Sequence, residues 1–484
     1  MNKNEPERVA GNVKPADVSV LIQNGIQHHN SGKFTDAETC YRRVLEIDPE
    51  NPDANHLLGL IAHQMGESEA AILLISKAIR LKPDDAAYYE NLAKIQLELG
   101  KLDDAVANFH QAQSFGPEDA ETHAYIGNLY EEQGRLLEAV KSYRRAVAIK
   151  PDFAEVHYNL GIALNSLGLH VAAVDSYDKS LALNPRFTEA LNNKGNALKD
   201  LGKLDDAAVS FKKAINENPN FAEAHFNLHG LHLNPDQMAP AIESMEKAVN
   251  IKPNLKYKFY LGACLDYAGE GERAAEYLTE VGNGELLDRA RLDAWNYFKS
   301  VDAKIPHLFG SPIDGFDLAF NAARPDGLVL EFGVRFGGSI RQIANLAGQH
   351  VYGFDSFEGL QEDWHNTPKG SYSTGGEMPD MPENVTLIKG WFDQTLPAFL
   401  ESHTEPARFI NIDCDTYEAT KTVFDLLGPQ IAPGTIIAFD EYIGNPYWRE
   451  DEFKSFQEAV ISNGWTYKYL GLSLVTGQVV AEIL

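Results

Sequence analysis

Pro49, Pro83, Pro117, Pro151, Pro185, Pro219 and Pro253 stand 34 residues apart. No feature constrains the chain more, because a fixed period of this length signals one structural unit stacked on copies of itself. The small residues keep the same register. Gly59, Ala93, Gly127, Gly161 and Gly195 occupy one site. Ala37, Ala71, Ala105, Ala139, Ala173, Ala207 and Ala241 occupy a second, and Val44, Ala78, Ala112, Ala146, Ser180, Ala214 and Ala248 a third. Two short helices and their turns fill a unit of this length. Small residues recur where the helices cross closely, and each proline follows a second helix that it could not continue.

This pattern resembles the tetratricopeptide repeat family over about residues 18–281, with a degenerate eighth unit, YKFYLGACLDYAGEGERAAEYL, around Gly262 and Ala275. The resemblance implies a right-handed α-solenoid whose first helices line a concave groove. The sixth position of the first helix reads Gln23, Leu57, Asn91, Tyr125, Asn159, Asn193 and Asn227. Asparagine is a poor helix former, so its recurrence at Asn91, Asn159, Asn193 and Asn227 needs a cause. A carboxamide carries a donor and an acceptor and can pin the backbone of an extended peptide or protein segment. Similar asparagine ladders occur in the repeat domain of O-GlcNAc transferases. A solvated polar face is the competing explanation.

A chain of 484 residues is too long for one core. Its formal charge of −28 argues against nucleic acid or an anionic membrane as partner. Cys40, Cys264 and Cys414 have neither disulfide nor zinc spacing, and the start MNKNEPERVA has no apolar signal region. A reducing, cytoplasmic location is the expectation.

After Val281 the period stops. Residues 1–17 read as a tail, 18–281 as the repeats, 282–326 as a helical linker and 327–484 as a second domain. From Gly327 apolar strands alternate with amphipathic helices, which means a sheet wrapped by helices, expected here as seven strands, mostly parallel. Ligands then sit beyond the carboxyl ends of the strands, where Glu331, Asp355, Asp413, Asp440 and Glu441 fall.

LVLEFGVRFGGSI, residues 328–340, has the look of a dinucleotide loop, but Arg335 stands where the middle glycine would be. That glycine lets the backbone approach a pyrophosphate, and Glu331 beside the loop would repel phosphates. A ligand with an ammonium or sulfonium group would tolerate the charge. Asp355 ends the next strand, where a carboxylate can take ribose hydroxyls. A ribose with a cationic amino-acid tail describes S-adenosylmethionine. An NAD site with a variant loop is the alternative.

At LEFGVRFGGS, VYGFDSFEGLQEDW, KGWFDQTLP, FINIDCDTYEATKTVFDLL and PGTIIAFDEY the segment from about 305 to 484 resembles class I S-adenosylmethionine-dependent methyltransferases of α/β Rossmann-like fold. Within them it is similar to the macrocin O-methyltransferase family of metal-dependent enzymes. The resemblance implies that Glu331, Gly333, Gly337 and Ser339 face the methionine part and Asp355 the ribose. Gly390, Trp391 and Phe392 would lie near the adenine. It maps the family's metal ligands to Asp413, Asp440 and Glu441, with a glutamate in place of the usual second aspartate.

Glutamate is still a hard oxygen donor suited to Mg2+ or Mn2+. Asp413 or Asp415 would accept the proton of a hydroxyl-bearing acceptor, be it a sugar, a small metabolite or a protein. Capping and strand-end solvation would also explain Asp440 and Glu441, and His365 and Tyr417 read as structural. HNTPKGSYSTGGEMPDMPE, before Asn384, is long enough for a lid or a surface insertion. Two other functions stay open: a metal-dependent glycosyltransferase, since Asp413-x-Asp415 is also a D-x-D, and a repeat adaptor without catalysis.

Overall fold

A computed structural model describes residues 15–116, 119–234, 236–301 and 306–484; Pro117 and most of the expected tail lie outside them. The chain forms two compact units, residues 1–152 and 153–484. In both, each repeat is a helical hairpin: 120–132 with 136–149 in the first unit, for example, and 154–166 with 170–183 in the second.

The periodic glycine explains the hairpin. A Cβ at Gly127 would lie 2.5 Å from the Tyr143 ring, and one at Gly161 would lie 2.5 Å from the Tyr177 ring. Glycine therefore lets an aromatic of the second helix rest on the backbone of the first. Tyr143 and Tyr177 are almost wholly buried there, and such rings carry much of the apolar burial of a small unit. The turns inside the first six hairpins hold a second glycine: Gly32, Gly66, Gly100, Gly134, Gly168 and Gly202 all have φ between 68° and 88°. A residue with a Cβ enters that left-handed region at a cost.

The second unit continues from the repeats into a mixed, eight-stranded sheet. Its strands are β1 (His307–Leu308), β2 (Leu328–Phe332), β3 (Val351–Asp355), β4 (Val385–Lys389), β5 (Ala407–Ile412), β6 (Ile436–Phe439), β7 (Tyr467–Leu472) and β8 (Val479–Ile483). Their order is β1-β7-β8-β6-β5-β2-β3-β4. This corrects the expected mostly parallel, seven-stranded sheet. The turn at 473–478 folds β8 back on β7, so β8 lies antiparallel to both β7 and β6. The extra strand β1 comes from a stretch read as linker; only its two residues pair with β7, too few to show a period. The helical part of that linker spans Leu286–Val301.

One apolar core runs through this unit, from Phe226 and Tyr260 of the late repeats through Trp295 and Phe298 of the linker helix to Leu330, Phe332 and Ile437 of the sheet. Tyr260 donates its hydroxyl to the Leu474 carbonyl at 2.9 Å. The late repeats and the sheet thus share packing that neither would bury alone.

Candidate functional site

β2, β5 and β6 are parallel neighbours in register, with Phe332 opposite Ile412 and Ile412 opposite Phe439. The ladder extends one step further, as the Asp413 N–H donates to Phe332 O at 2.8 Å and the Asp440 N–H to Ile412 O at 2.9 Å. Each acid is therefore the first residue past its strand, and both meet at one edge of the sheet. There they line a cavity of about 560 Å³ together with Gly333, Asp355, Trp391, Phe392, Asp415 and Glu441. This gathers most of the site residues expected from sequence.

The turn after β2 is fixed by its surroundings. A Cβ on Gly333 would lie 1.7 Å from the Asp413 carbonyl oxygen, and its φ is 91°. Glycine here brings two strand ends together. Asp355 is committed to the same turn: its carboxylate accepts from the N–H groups of Val334 (2.8 Å), Arg335 (2.7 Å) and Phe357 (2.6 Å). A carboxylate has about four acceptor positions, so one is left for a ligand hydroxyl. Arg335 and Asp415 hold φ near 50° and 61°, two strained residues facing one cavity.

Four expected residues stand behind the cavity wall or beside it. Glu331 is fully buried, accepts from Ser339 Oγ and from Asn411 Nδ2 (3.0 Å), and leaves Oε2 without a partner. It supports the turn from below. Ser339 lines a second cavity. A Cβ on Gly337 would meet Met381 of the long loop at 2.0 Å. Gly390, with φ 141°, donates its N–H to the Asp355 carbonyl and so leads the chain to Trp391.

Burial and crowding raise the acids together. Burial pushes Glu331 up to about 8. Burial, then Glu441 and Asp440, pushes Asp415 up to about 8. Asp440 is held at about 7 by burial and Glu441, and Asp413 stands well above the carboxylate range by burial and Asp440. Sequence reasoning missed Glu452, which is buried with neither carboxyl oxygen partnered and is raised by burial and by Asp415. Its only signal was an acid pair, Asp451-Glu452, opening a helix.

Among the described residues no three Asp, Glu, His or Cys side chains are gathered as ligands of one ion. Asp413, Asp440 and Glu441 nevertheless line one cavity and are all hard oxygen donors, so the set fits a magnesium-like cation in kind.

The long loop is anchored over the cavity. Gly370 donates to Leu360 O at 2.9 Å, Gly376 to Phe357 O at 2.9 Å, and Lys389 Nζ to Gly376 O at 2.6 Å. Its Tyr372 lines the cavity with the Arg335 guanidinium 5.1 Å from the ring centre. His365 bonds Asp451 Oδ2 at 2.9 Å and stacks on Tyr447, and Tyr417 donates to Glu458 at 2.6 Å. In the repeats the asparagines are half-buried. Asn193 Nδ2 donates to the Tyr158 hydroxyl at 3.2 Å and Asn227 Nδ2 to Asn192 Oδ1 at 2.9 Å, while Asn91 Nδ2 lies 3.0 Å from His56 Nε2. Each link reaches back 35 residues and so ties adjacent repeats.

The glycine turn after β2, the acid closing β3 and the acid cluster share the carboxyl ends of parallel strands, where wound sheets of this kind bind their ligands. A family model described as a methyltransferase domain matches residues 330–442, from β2 through β6. TPR repeat models match residues 127–168 and 195–234, tetratricopeptide repeat models match 154–187 and 176–208, and a model of anaphase-promoting complex, cyclosome, subunit 3 matches 30–112. The chain thus carries TPR repeats and a methyltransferase domain, which implies S-adenosylmethionine. The narrower macrocin O-methyltransferase resemblance rests on the sequence stretches alone.

No curated protein matches the chain. Among solved structures, YrrB, described as a TPR protein with an unusual peptide-binding site, is 19% identical over 38% of this chain and 95% of its own, with TM-score 0.34. The C-terminal part of a TPR repeat-containing protein from Cytophaga hutchinsonii is 15% identical over 50% of this chain and 99% of its own, with TM-score 0.43. Among the described residues no helix is long and apolar enough to cross a membrane.

Proposed function

We propose that the protein is an S-adenosylmethionine-dependent O-methyltransferase, assisted by a divalent cation, whose repeats bind an extended segment of a peptide or protein. The carrying observation is the cluster of Asp413, Asp415, Asp440 and Glu441 on one cavity with the Gly333 turn and Asp355. The open acceptor position of Asp355 suits a ribose hydroxyl, and Trp391 and Phe392 offer apolar surface for a base. We keep the sequence-based division at 18–281 and 327–484 as the functional one. The three free cysteines fit a reducing compartment, and we place the protein in the cytoplasm.

Asp413, Asp440 and Glu441 are the residues that would hold Mg2+ or Mn2+. Bound there, the cation would act as a Lewis acid that lowers an acceptor hydroxyl's pKa. Asp415, raised to about 8, suits the general base, because a base works best with its pKa near the working pH. It would take the hydroxyl proton as the oxygen attacks the S-methyl carbon. Tyr372 and its loop would exclude water.

The test is transfer of label from S-adenosylmethionine to fractions of a metabolite and protein extract, with magnesium and with excess chelator. Magnesium-dependent labelling in a base-stable, ether-like linkage is the expected result. Labelled thiols or amines, or none in any fraction, would refute the O-methyltransferase reading.

A further inference from the structure

A second cavity, about 330 Å³, opens within the 153–484 unit between the repeats and the glycine turn. One wall comes from hairpin turns of the repeats, with Asn165, His170 and Asp200. The other comes from Arg335, Phe336, Ser339 and Gln342, and the floor holds Asp413 and Asp440. Those two acids and Arg335 also line the first cavity. Asp413 and Asp440 are therefore reached from both cavities, while Asp415 and Glu441 line only the first.

The contact between the walls is built. Gln342 Nε2 donates to the Asp200 carbonyl at 2.6 Å. A Cβ on Gly168 would come 3.2 Å from Gly338 Cα, and one on Gly202 would come 2.8 Å from Ile313 Cδ1. At Gly100 and Gly134, the same position in earlier repeats, a Cβ would meet nothing within 4 Å. His170 is oriented by Asn165 Oδ1 at 2.9 Å, with Asp200 Oδ2 3.9 Å from the same nitrogen. Burial lowers the imidazole pKa, Asp200 raises it and Arg341 lowers it. Gln342 Oε1 is buried with no partner.

We propose that this cleft is the acceptor subsite, and that Asn165, His170 and Asp200 of the repeats determine which acceptor reaches Asp413. The proposal rests on the methyltransferase reading of those acids. The cofactor has the 560 Å³ cavity with the Gly333 turn and Asp355, ample for a ligand of its size. The second cleft is acidic: the carboxyl groups of Asp200, Asp413 and Asp440 line it against one guanidinium, Arg335. Such walls need a ligand rich in donors, bearing hydroxyl or amino groups, and they repel phosphates and carboxylates. The repeats then act as part of the catalytic pocket as well as a docking surface.

The test uses the full chain saturated with S-adenosylhomocysteine, titrated by calorimetry with glucosamine as a donor-rich probe and with glucose 6-phosphate as its anionic counterpart. Glucosamine should bind in the millimolar range and the phosphate should not. Asp200→Asn and His170→Gln, both checked for an unchanged melting temperature, should each weaken glucosamine at least fivefold. S-adenosylhomocysteine affinity should stay within twofold. The proposal is overturned if glucosamine does not bind, if the variants bind it like the wild type, or if the phosphate binds as well. It is also overturned if the variants weaken S-adenosylhomocysteine instead, since the cleft would then hold the cofactor's tail. Failure of S-adenosylhomocysteine to bind the wild type would count against the methyltransferase reading alone, and glucosamine titrated without it still decides the cleft.

Discussion

Gly161 and Gly333 are both glycines against which another part of the chain packs closely, yet they serve opposite ends. At Gly161 the neighbour is the Tyr177 ring, a side chain of the same hairpin. At Gly333 it is the backbone of Asp413, eighty residues on, and the result is an edge crowded with carboxylates. Close packing in the repeats produces stability. In the sheet it places buried acids together, which costs stability, and groups crowded in this way cluster at functional sites. The repeats should therefore respond to substitution as packing, and the sheet edge as chemistry.

Asp413→Asn is the sharpest way to break that contrast. It takes an oxygen ligand from the proposed cation and leaves shape, so turnover should fall by more than the roughly 10–100-fold that losing an outer partner of a metal ligand costs. S-adenosylhomocysteine affinity should stay within about threefold in calorimetry, since cofactor contacts and fold are untouched. A fall in melting temperature without a fall in turnover would place Asp413 with the repeats' packing residues.

Gly333→Ala comes next. Its Cβ meets backbone that cannot give way, and its φ of 91° adds strain, so cofactor binding should be lost along with more than about 2 kcal/mol of stability. Gly161→Ala should cost about 1–3 kcal/mol by overpacking Tyr177 and leave the chemistry intact. Urea unfolding beside a cofactor titration separates the two.

The acids also make a pH prediction. Glu331, Asp415 and Asp440 hold their protons to about 8, 8 and 7 in the folded state. Unfolded, such groups titrate at about 4. Between these values the folded protein carries protons that the unfolded chain has released, so stability falls as pH rises from about 4 to about 8 and then levels off. The ligand-free melting temperature should be lower at pH 8 than at pH 5.5. Magnesium should narrow the gap by favouring the ionised acids. Equal melting temperatures would mean that neither burial nor crowding raises these acids in the folded protein.

The smallest effect is expected at Asn91→Ala. It removes the link to His56 but improves helix propensity, so stability should change by less than about 1 kcal/mol. Thermal unfolding checks this.

The repeats were legible because their signal is local and recurs: Gly127 and Tyr143 are sixteen residues apart and return with the period. The strand ends were legible for a similar reason, as an apolar run closing on an acid marks Asp355, Asp413 and Asp440, whereas Glu331 reads the same way and lies inside β2. The rest needed distant chain segments. β1 is two residues that become a strand only beside β7. Glu452 is an ordinary helix-opening acid until the sheet buries it. The three hydrogen bonds to Asp355 depend on the path of the turn, which no spacing encodes. The cleft between His170 and Ser339 joins stretches about 170 residues apart, and nothing marks Gly168 and Gly202 off from the other turn glycines of the repeats.

Ligand choice separates an S-adenosylmethionine site from a nucleotide site. Calorimetry should use the full chain, since the core shared by the late repeats and the sheet makes a fragment beginning at Leu286 unsound. S-adenosylhomocysteine should bind at micromolar concentration, and Asp355→Ala should weaken it at least about tenfold, the equivalent of one hydrogen bond to a charged group. Micromolar binding of NADH or a UDP-sugar, with none of S-adenosylhomocysteine, would contradict the account.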